Sequence, residues 1–213
     1  ENSQYSGTVR RTGIMKILVA NKSGLEQALT LLRAGGTVAH ATETCYGLAC
    51  DMTNAEAVQR LFAIKQRPVY QPVSALFASI ETAKAYVQWN ARAEELAQKS
   101  LPGPLTLILL LAPTAPTSVF PTPDSQSLGT SLGIRISSHP LATQLAQEFG
   151  GPISTTSANI SGKPNPYSAE DIVGQFQNQE LQPDIVLDSG QLEQNPPSKV
   201  VDLTEDGEHI VRI

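Results

Sequence analysis

The sequence has little of several things, and each shortage excludes a class of protein. Two cysteines, Cys45 and Cys50, among 213 residues are too few for a disulfide scaffold or a four-cysteine zinc site. Both read as free thiols, and a cytoplasmic setting is the expectation. The three histidines, His40, His139 and His209, lack ligand spacing and read as structural. No apolar run reaches the length of a membrane span; the longest, Leu105 to Ala112, is strand-sized. Aromatic residues make up only 5% and charged residues 16%, yet 40% is hydrophobic, enough for a globular core. With 15 basic against 20 acidic residues, the net charge of −5 argues against a broad basic face for nucleic acid. G-x-S-x-G, Walker and G-x-G-x-x-G motifs are missing too, so nucleotide binding would need a less common cradle.

What is present is an alternation of strand-like and helix-like segments. Residues 1–14 are polar and irregular and read as a tag remnant or disordered leader; the patterned chain, one domain, runs over 15–213. Leu25, Ala28, Leu29 and Leu32 recur at helical spacing behind Ser23 and Glu26, a capping-box pair, and Gly35-Gly36 ends the helix. Thr53 and Glu56 announce a second helix, whose inner stripe is Val58, Leu61, Phe62 and Lys65. Pro68 and Pro72 stop it. Strands are expected over 37–41, 72–77, 105–111, 131–136, 153–156, 185–187, 200–203 and 209–213, with helices over 79–89, 92–100, 140–149 and 168–176. The proline-rich stretch 113–128 reads as a long loop with the position of a lid. The order argues for an α/β fold with a mixed sheet.

Four groups of residues can carry chemistry. Lys65-Gln66-Arg67 closes a helix, and two cations at that spacing suit either solvent or two oxygens of one polyphosphate. Thr42-Glu43-Thr44 lies between a strand and a glycine-containing turn, where hydroxyls serve a small polar ligand or the turn's own backbone. Arg135 sits in a strand between two isoleucines and, once covered, requires an anion: a structural carboxylate, or a ligand carboxylate or phosphate. Ser154-Thr155-Thr156-Ser157-Ala158-Asn159, followed by Ser161-Gly162-Lys163-Pro164-Asn165, is a polar strand exit where the backbone can approach a phosphate or ribose.

Together these segments resemble the threonylcarbamoyl-AMP synthase family, the YrdC/TsaC-like proteins, in its single-domain form. The resemblance rests on G-T-V to T-E-T-C-Y-G-L (36–48), K-Q-R-P (65–68), P-G-P-L-T (102–106), G-I-R (133–135) with His139-Pro140, S-T-T-S-A-N-I-S-G (154–162) and P-S-K-V-V-D-L (197–203). The chain departs from the commoner pattern at Ala41, Gln71, Leu76 and Lys199.

The resemblance implies a twisted mixed sheet around a large concave basic cavity. It implies a nucleotidyltransferase that joins L-threonine, bicarbonate and ATP into threonylcarbamoyl-AMP with release of pyrophosphate, for N6-threonylcarbamoyladenosine at tRNA position 37. Lys65, Arg67, Ser131, Ser157, Asn159, Asn165 and Ser198 would line the ATP site, and Thr44, Arg135 and Thr155 would hold L-threonine. Lys65 and Arg67 would act electrostatically, without a covalent nucleophile. Mg²⁺ would arrive with ATP, without a protein-only metal site. Downstream transferase proteins are the implied partners, with weak tRNA contact and no membrane. The alternative is a non-catalytic RNA-binding module of the same fold. A carbamoyl-transfer enzyme is a further reading, but such chains are longer and carry zinc fingers.

Overall fold

The computed structural model describes residues 14–68, 73–115, 131–205 and 207–212. In the first half the elements are β1 (Lys16–Val19), α1 (Lys22–Arg33), β2 (Val38–Ala41), β3 (Tyr46–Ala49), α2 (Ala55–Lys65), β4 (Ser74–Leu76), α3 (Ile80–Lys84) and α4 (Ala91–Ser100). The second half adds β5 (Leu105–Leu110), β6 (Ser131–Arg135), α5 (Pro140–Phe149), β7 (Ile153–Ser157), α6 (Ala169–Phe176), β8 (Ile185–Asp188), β9 (Lys199–Asp202) and β10 (His209–Arg212). The strands join one sheet in the order β1-β8-β2-β3-β7-β4-β6-β5-β9-β10. Parallel pairs (β1 with β8, β2 with β8, β4 with β6, β5 with β9) mix with antiparallel ones, so the expected mixed α/β sheet is what forms.

Its central strands are covered on both faces. β2 and β3 are buried at every position, which is why V-A-H-A and Y-G-L-A lack the polar–apolar alternation of a half-exposed strand. Leu25, Leu29 and Leu32 of α1 pack with Leu145 and Ala146 of α5 in one cluster. Leu61 and Phe62 of α2 pack with Ile172 and Phe176 of α6 in another. Ala93 and Ala97 let α4 approach the leucines of β5 closely in a third.

Several boundaries differ from the sequence reading. Asn21 and Asn54, not Ser23 and Thr53, cap α1 and α2. Asn54 Oδ1 accepts from the N–H groups of Glu56 and Ala57 at 3.0 and 3.1 Å, while the Thr53 hydroxyl is spent on Asp51 at 2.7 Å. The Ser168–Asp171 capping box forms as expected. α3 stops at Lys84 rather than continuing to Trp89, because the chain turns to bridge Val87 to Leu111. Tyr46 and Gly47, read as the end of a turn, instead begin β3, which is hairpinned to β2 with Ala41 opposite Tyr46. Of the expected lid loop, residues 116–128 lie outside the described residues.

Candidate functional site

The β2–β3 hairpin delivers the T-E-T turn, and its residues divide the two uses that sequence left open. Thr42 serves the turn: its Oγ1 donates to the Cys45 carbonyl at 2.7 Å and accepts from the N–H groups of Thr44 and Cys45. Thr44 and Glu43 instead turn to Arg135, the last residue of β6. Arg135 Nη2 donates to Glu43 Oε1 at 2.7 Å and to Thr44 Oγ1 at 2.9 Å. Arg135 is only 8% exposed, and its Nε has no acceptor among the described residues. The second Glu43 oxygen accepts from Ser137 Oγ, and Asn195 Nδ2 holds the Glu43 carbonyl at 3.0 Å. Burial pushes the Glu43 carboxyl up, but the Arg135 charge and the hydrogen bonds from Ser137 and Arg135 outweigh it, leaving it below the usual carboxylate range. Arg135 therefore has the structural carboxylate that a covered arginine requires.

The end of α2 builds the second part. Gln66 takes a left-handed conformation, φ 51°, which ends the helix and separates Lys65 from Arg67 in environment. Lys65 is 2% exposed, and its ammonium donates to Ser157 O at 2.5 Å, Asn159 O at 2.9 Å and Asn159 Oδ1 at 3.1 Å. Burial, and secondarily the Arg67 charge, lower its pKa to about 8. Arg67 is half-buried, with Nη1 3.5 Å from Thr156 Oγ1. Asn159 Oδ1 also accepts from Ser157 Oγ at 2.7 Å, and Asn159 Nδ2 donates to Lys163 O at 2.5 Å.

The third part comes from the far side of the sheet. Arg212, on the edge strand β10, donates from Nε to Ser198 O and from Nη2 to Ser198 Oγ, both at 2.9 Å. Ser198 Oγ lies 3.1 Å from Thr106 Oγ1 and is buried. Arg212 is close enough to Arg135 for the two charges to repel, and the Cys45 thiol feels Arg135, Lys65 and Arg212 at once. Burial still raises the Cys45 pKa, so the thiol is not an activated nucleophile.

Arg135, Lys65 and Arg212 thus act together on Cys45 of the T-E-T-C turn, with Glu43 as the carboxylate partner of Arg135, while Arg67 stands two residues past Lys65 against β7. Thr155 is buried on β7 opposite Ser74, and Asn165 is half-buried in the loop that follows. Ser131 stands at the opposite end of β6 from Arg135, four residues and about 13 Å away by strand rise, so those two do not meet. The sequence reading missed Arg212 and gave Glu43 no role. A cation closing the last strand was the available signal for the first, and the carboxylate inside the T-E-T turn for the second. Among the described residues no three His, Cys, Asp or Glu side chains group to hold a metal.

Three cations, Arg135, Lys65 and Arg212, therefore stand near one threonine-rich turn of this α/β sheet, in a chain that is acidic overall. The chain belongs to the Sua5/YciO/YrdC family: the model of that family, described as "Telomere recombination", matches residues 30–213. The threonylcarbamoyl-AMP synthase of Vibrio cholerae is 37% identical over 158 residues, covering 73% of this chain and 81% of that protein. Pyrococcus abyssi Sua5 complexed with L-threonine superposes with a TM-score of 0.80 at 31% identity, over 94% of this chain. This chain spans only 57% of that archaeal protein. E. coli YciO shares the fold, with a TM-score of 0.78 at 24% identity over 94% of this chain and 95% of its own.

Proposed function

We propose that this protein is an L-threonylcarbamoyladenylate synthase, making threonylcarbamoyl-AMP and pyrophosphate from L-threonine, bicarbonate and ATP for the threonylcarbamoyladenosine of tRNA. Family membership and the naming of the Vibrio relative support the reaction. The observation in this chain that carries it is Arg135 bound to Thr44 Oγ1, with Lys65 and Arg212 near enough to act on the adjacent Cys45.

In the reaction the threonine amine forms a C–N bond to the bicarbonate carbon, a C–O bond of bicarbonate breaks, and its hydroxyl leaves with an amine proton as water. A carbamate oxygen then attacks the α-phosphorus, and the bond from that phosphorus to pyrophosphate breaks. Every reactant carries an anionic group, so the barrier falls when fixed positive charge and alignment are supplied together. Arg135 and Thr44 take the threonine carboxylate, with Thr155 beneath it. Arg67 and Arg212 face the triphosphate, and both remain charged at any working pH. Ser157, Asn165, Ser131 and Ser198 complete the nucleotide side, with Asn159 holding the loop behind Ser157. Glu43 is committed to Arg135 and Ser137, so the donors here suit Mg²⁺ carried by the phosphates rather than by a protein cage. That ion, when bound, draws charge from the phosphate oxygens. The product passes to a transferase acting on tRNA in the cytoplasm. Among the described residues no helix is long and apolar enough to cross a membrane.

The test is pyrophosphate release from ATP with and without L-threonine and with and without bicarbonate. Release that needs both is expected, together with threonylcarbamoyl-AMP by mass spectrometry. Equal release without threonine overturns the assignment.

A further inference from the structure

The four residues of the K-x-R and S-x-N signatures do not face the same way. An ammonium has three N–H donors, and the three of Lys65 all have protein acceptors: Ser157 O, Asn159 O and Asn159 Oδ1. The Lys65 backbone carbonyl also accepts from Ser161 N at 2.8 Å, so both ends of this residue grip the same loop. Asn159 is equally committed, its oxygen shared by Lys65 and Ser157 and its nitrogen donating to Lys163 O. Both residues are buried, whereas Arg67 and Ser157 are partly exposed.

We infer that the signature consists of an inner pair and an outer pair. Lys65 and Asn159 are positioning residues that pin the 157–163 loop to the end of α2, while Arg67 and Ser157 meet the phosphates. This rests on the function proposed above only for the identity of the ligand; the pinning itself belongs to the substrate-free protein. Lys65 contributes its charge from behind the loop, and a direct N–H to phosphate would require it to give up an acceptor it already holds. The groups facing its ammonium are Arg67, whose charge repels it, and the Cys45 thiol, with carbonyls supplied by β7 and the loop. Losing the proton above about pH 8 removes one donor and slackens the pin.

Hydrogen–deuterium exchange of the substrate-free protein tests the pin. Lys65→Met removes at least one charge-assisted bond, so exchange in peptides covering 157–163 rises about tenfold or more. Arg67→Met leaves that exchange unchanged. In steady state Lys65→Met lowers kcat with the KM for ATP within about threefold, whereas Arg67→Met raises that KM about tenfold or more. Lys65→Arg, which retains charge and donors, restores the loop's protection. Should Lys65→Met fail to fold, wild-type protein labelled at lysine Cε serves instead: the Lys65 resonance stays in place as pyrophosphate is added to saturation. A resonance that shifts with pyrophosphate, or unchanged loop exchange with an ATP KM raised as in Arg67→Met, overturns the inference. A wild-type protein that fails the threonine-dependent assay sinks the proposed reaction but leaves the exchange result intact.

Discussion

Truncating Glu43 isolates the feature that holds Arg135, the residue proposed to take the threonine carboxylate. The Glu43 carboxylate and the Arg135 guanidinium form a 2.7 Å pair whose side chains are 14% and 9% exposed, near the buried end of the range. Glu43→Ala leaves Arg135 with only Thr44 Oγ1 and an Nε that already lacks an acceptor. Breaking one member of a buried pair costs about 3–5 kcal/mol, because the surviving charge stays desolvated. Glu43→Gln retains shape and an acceptor oxygen, exchanging a charge-assisted bond for a neutral one, and costs about half as much. Arg135→Met strands Glu43 instead, but a stranded carboxylate can take up a proton. Its cost is therefore largest at neutral pH and shrinks as pH falls towards the carboxylate range.

Urea unfolding of the two single variants and of Glu43→Gln/Arg135→Met at pH 7 measures this. The double variant is expected to fall short of the summed singles by about 2 kcal/mol, since the second change removes a charge the first had stranded. Additive costs under about 1 kcal/mol each would place the pair among surface ion pairs and refute the reasoning. In the enzyme assay Glu43→Gln raises the KM for threonine and leaves that for ATP unchanged, because Glu43 orients Arg135 and has no contact with the Lys65–Asn159 loop.

The pH dependence of stability has two limbs. His40 is fully buried, and burial, the largest influence on it, lowers its pKa from 6.5 to about 4. The unfolded chain binds that proton first, so stability is lost as pH falls from 6.5 towards 4, by about 3 kcal/mol from this group. Glu43, depressed below 4.5, adds a loss on further acidification. His40→Gln removes the first limb in urea midpoints taken between pH 7 and 4.5. Lys65 gives the same sign at higher pH: lowered from 10.5 to about 8, it makes the folded state bind fewer protons, so stability rises with pH between those values while turnover falls. Lys65→Met abolishes the rise, and a parallel pair of curves argues against it. Gly133→Ala destabilises by about 1–3 kcal/mol, since the added Cβ would lie 2.4 Å from Ser74 Oγ where β4 and β6 meet; a neutral thermal shift contradicts that. Arg212→Met raises the KM for ATP, with Ser198 left in place by Thr106, and an unchanged KM removes Arg212 from the phosphate group.

Much of the fold was legible because it depends on local signals. Periodicity located α1 and α2, glycines and prolines gave their ends, and Ser168 with Asp171 announced α6. What local signals could not supply was competition between neighbours. Ser23 and Thr53 had the right chemistry to cap, but Asn21 and Asn54 lay nearer the true helix starts and Asp51 had already claimed Thr53. Tyr46 to Ala49 gave no alternation because both faces of β3 are covered, so the start of a strand passed for the end of a turn.

The site divides along the same line. Residue types and order pointed to T-E-T, K-x-R, Arg135 and the 154–159 exit, since those lie in short runs. Their orientations depend on contacts between residues distant in sequence: Arg135 with Glu43, Lys65 with Asn159, Arg135 near Arg212. From sequence, Lys65 and Arg67 were equivalent cations at a helix end. The left-handed Gln66 between them makes them unlike, sending one ammonium into the protein and leaving one guanidinium at the surface. A net charge of −5 is equally uninformative about Arg135, Lys65 and Arg212, because the folded chain collects them near the T-E-T-C turn. Charge summed over a sequence bears on broad, non-specific attraction; what a small anionic substrate meets is the handful of groups the topology gathers. How Arg135, Lys65 and Arg212 are held is accordingly decided by Glu43, Asn159 and Ser198.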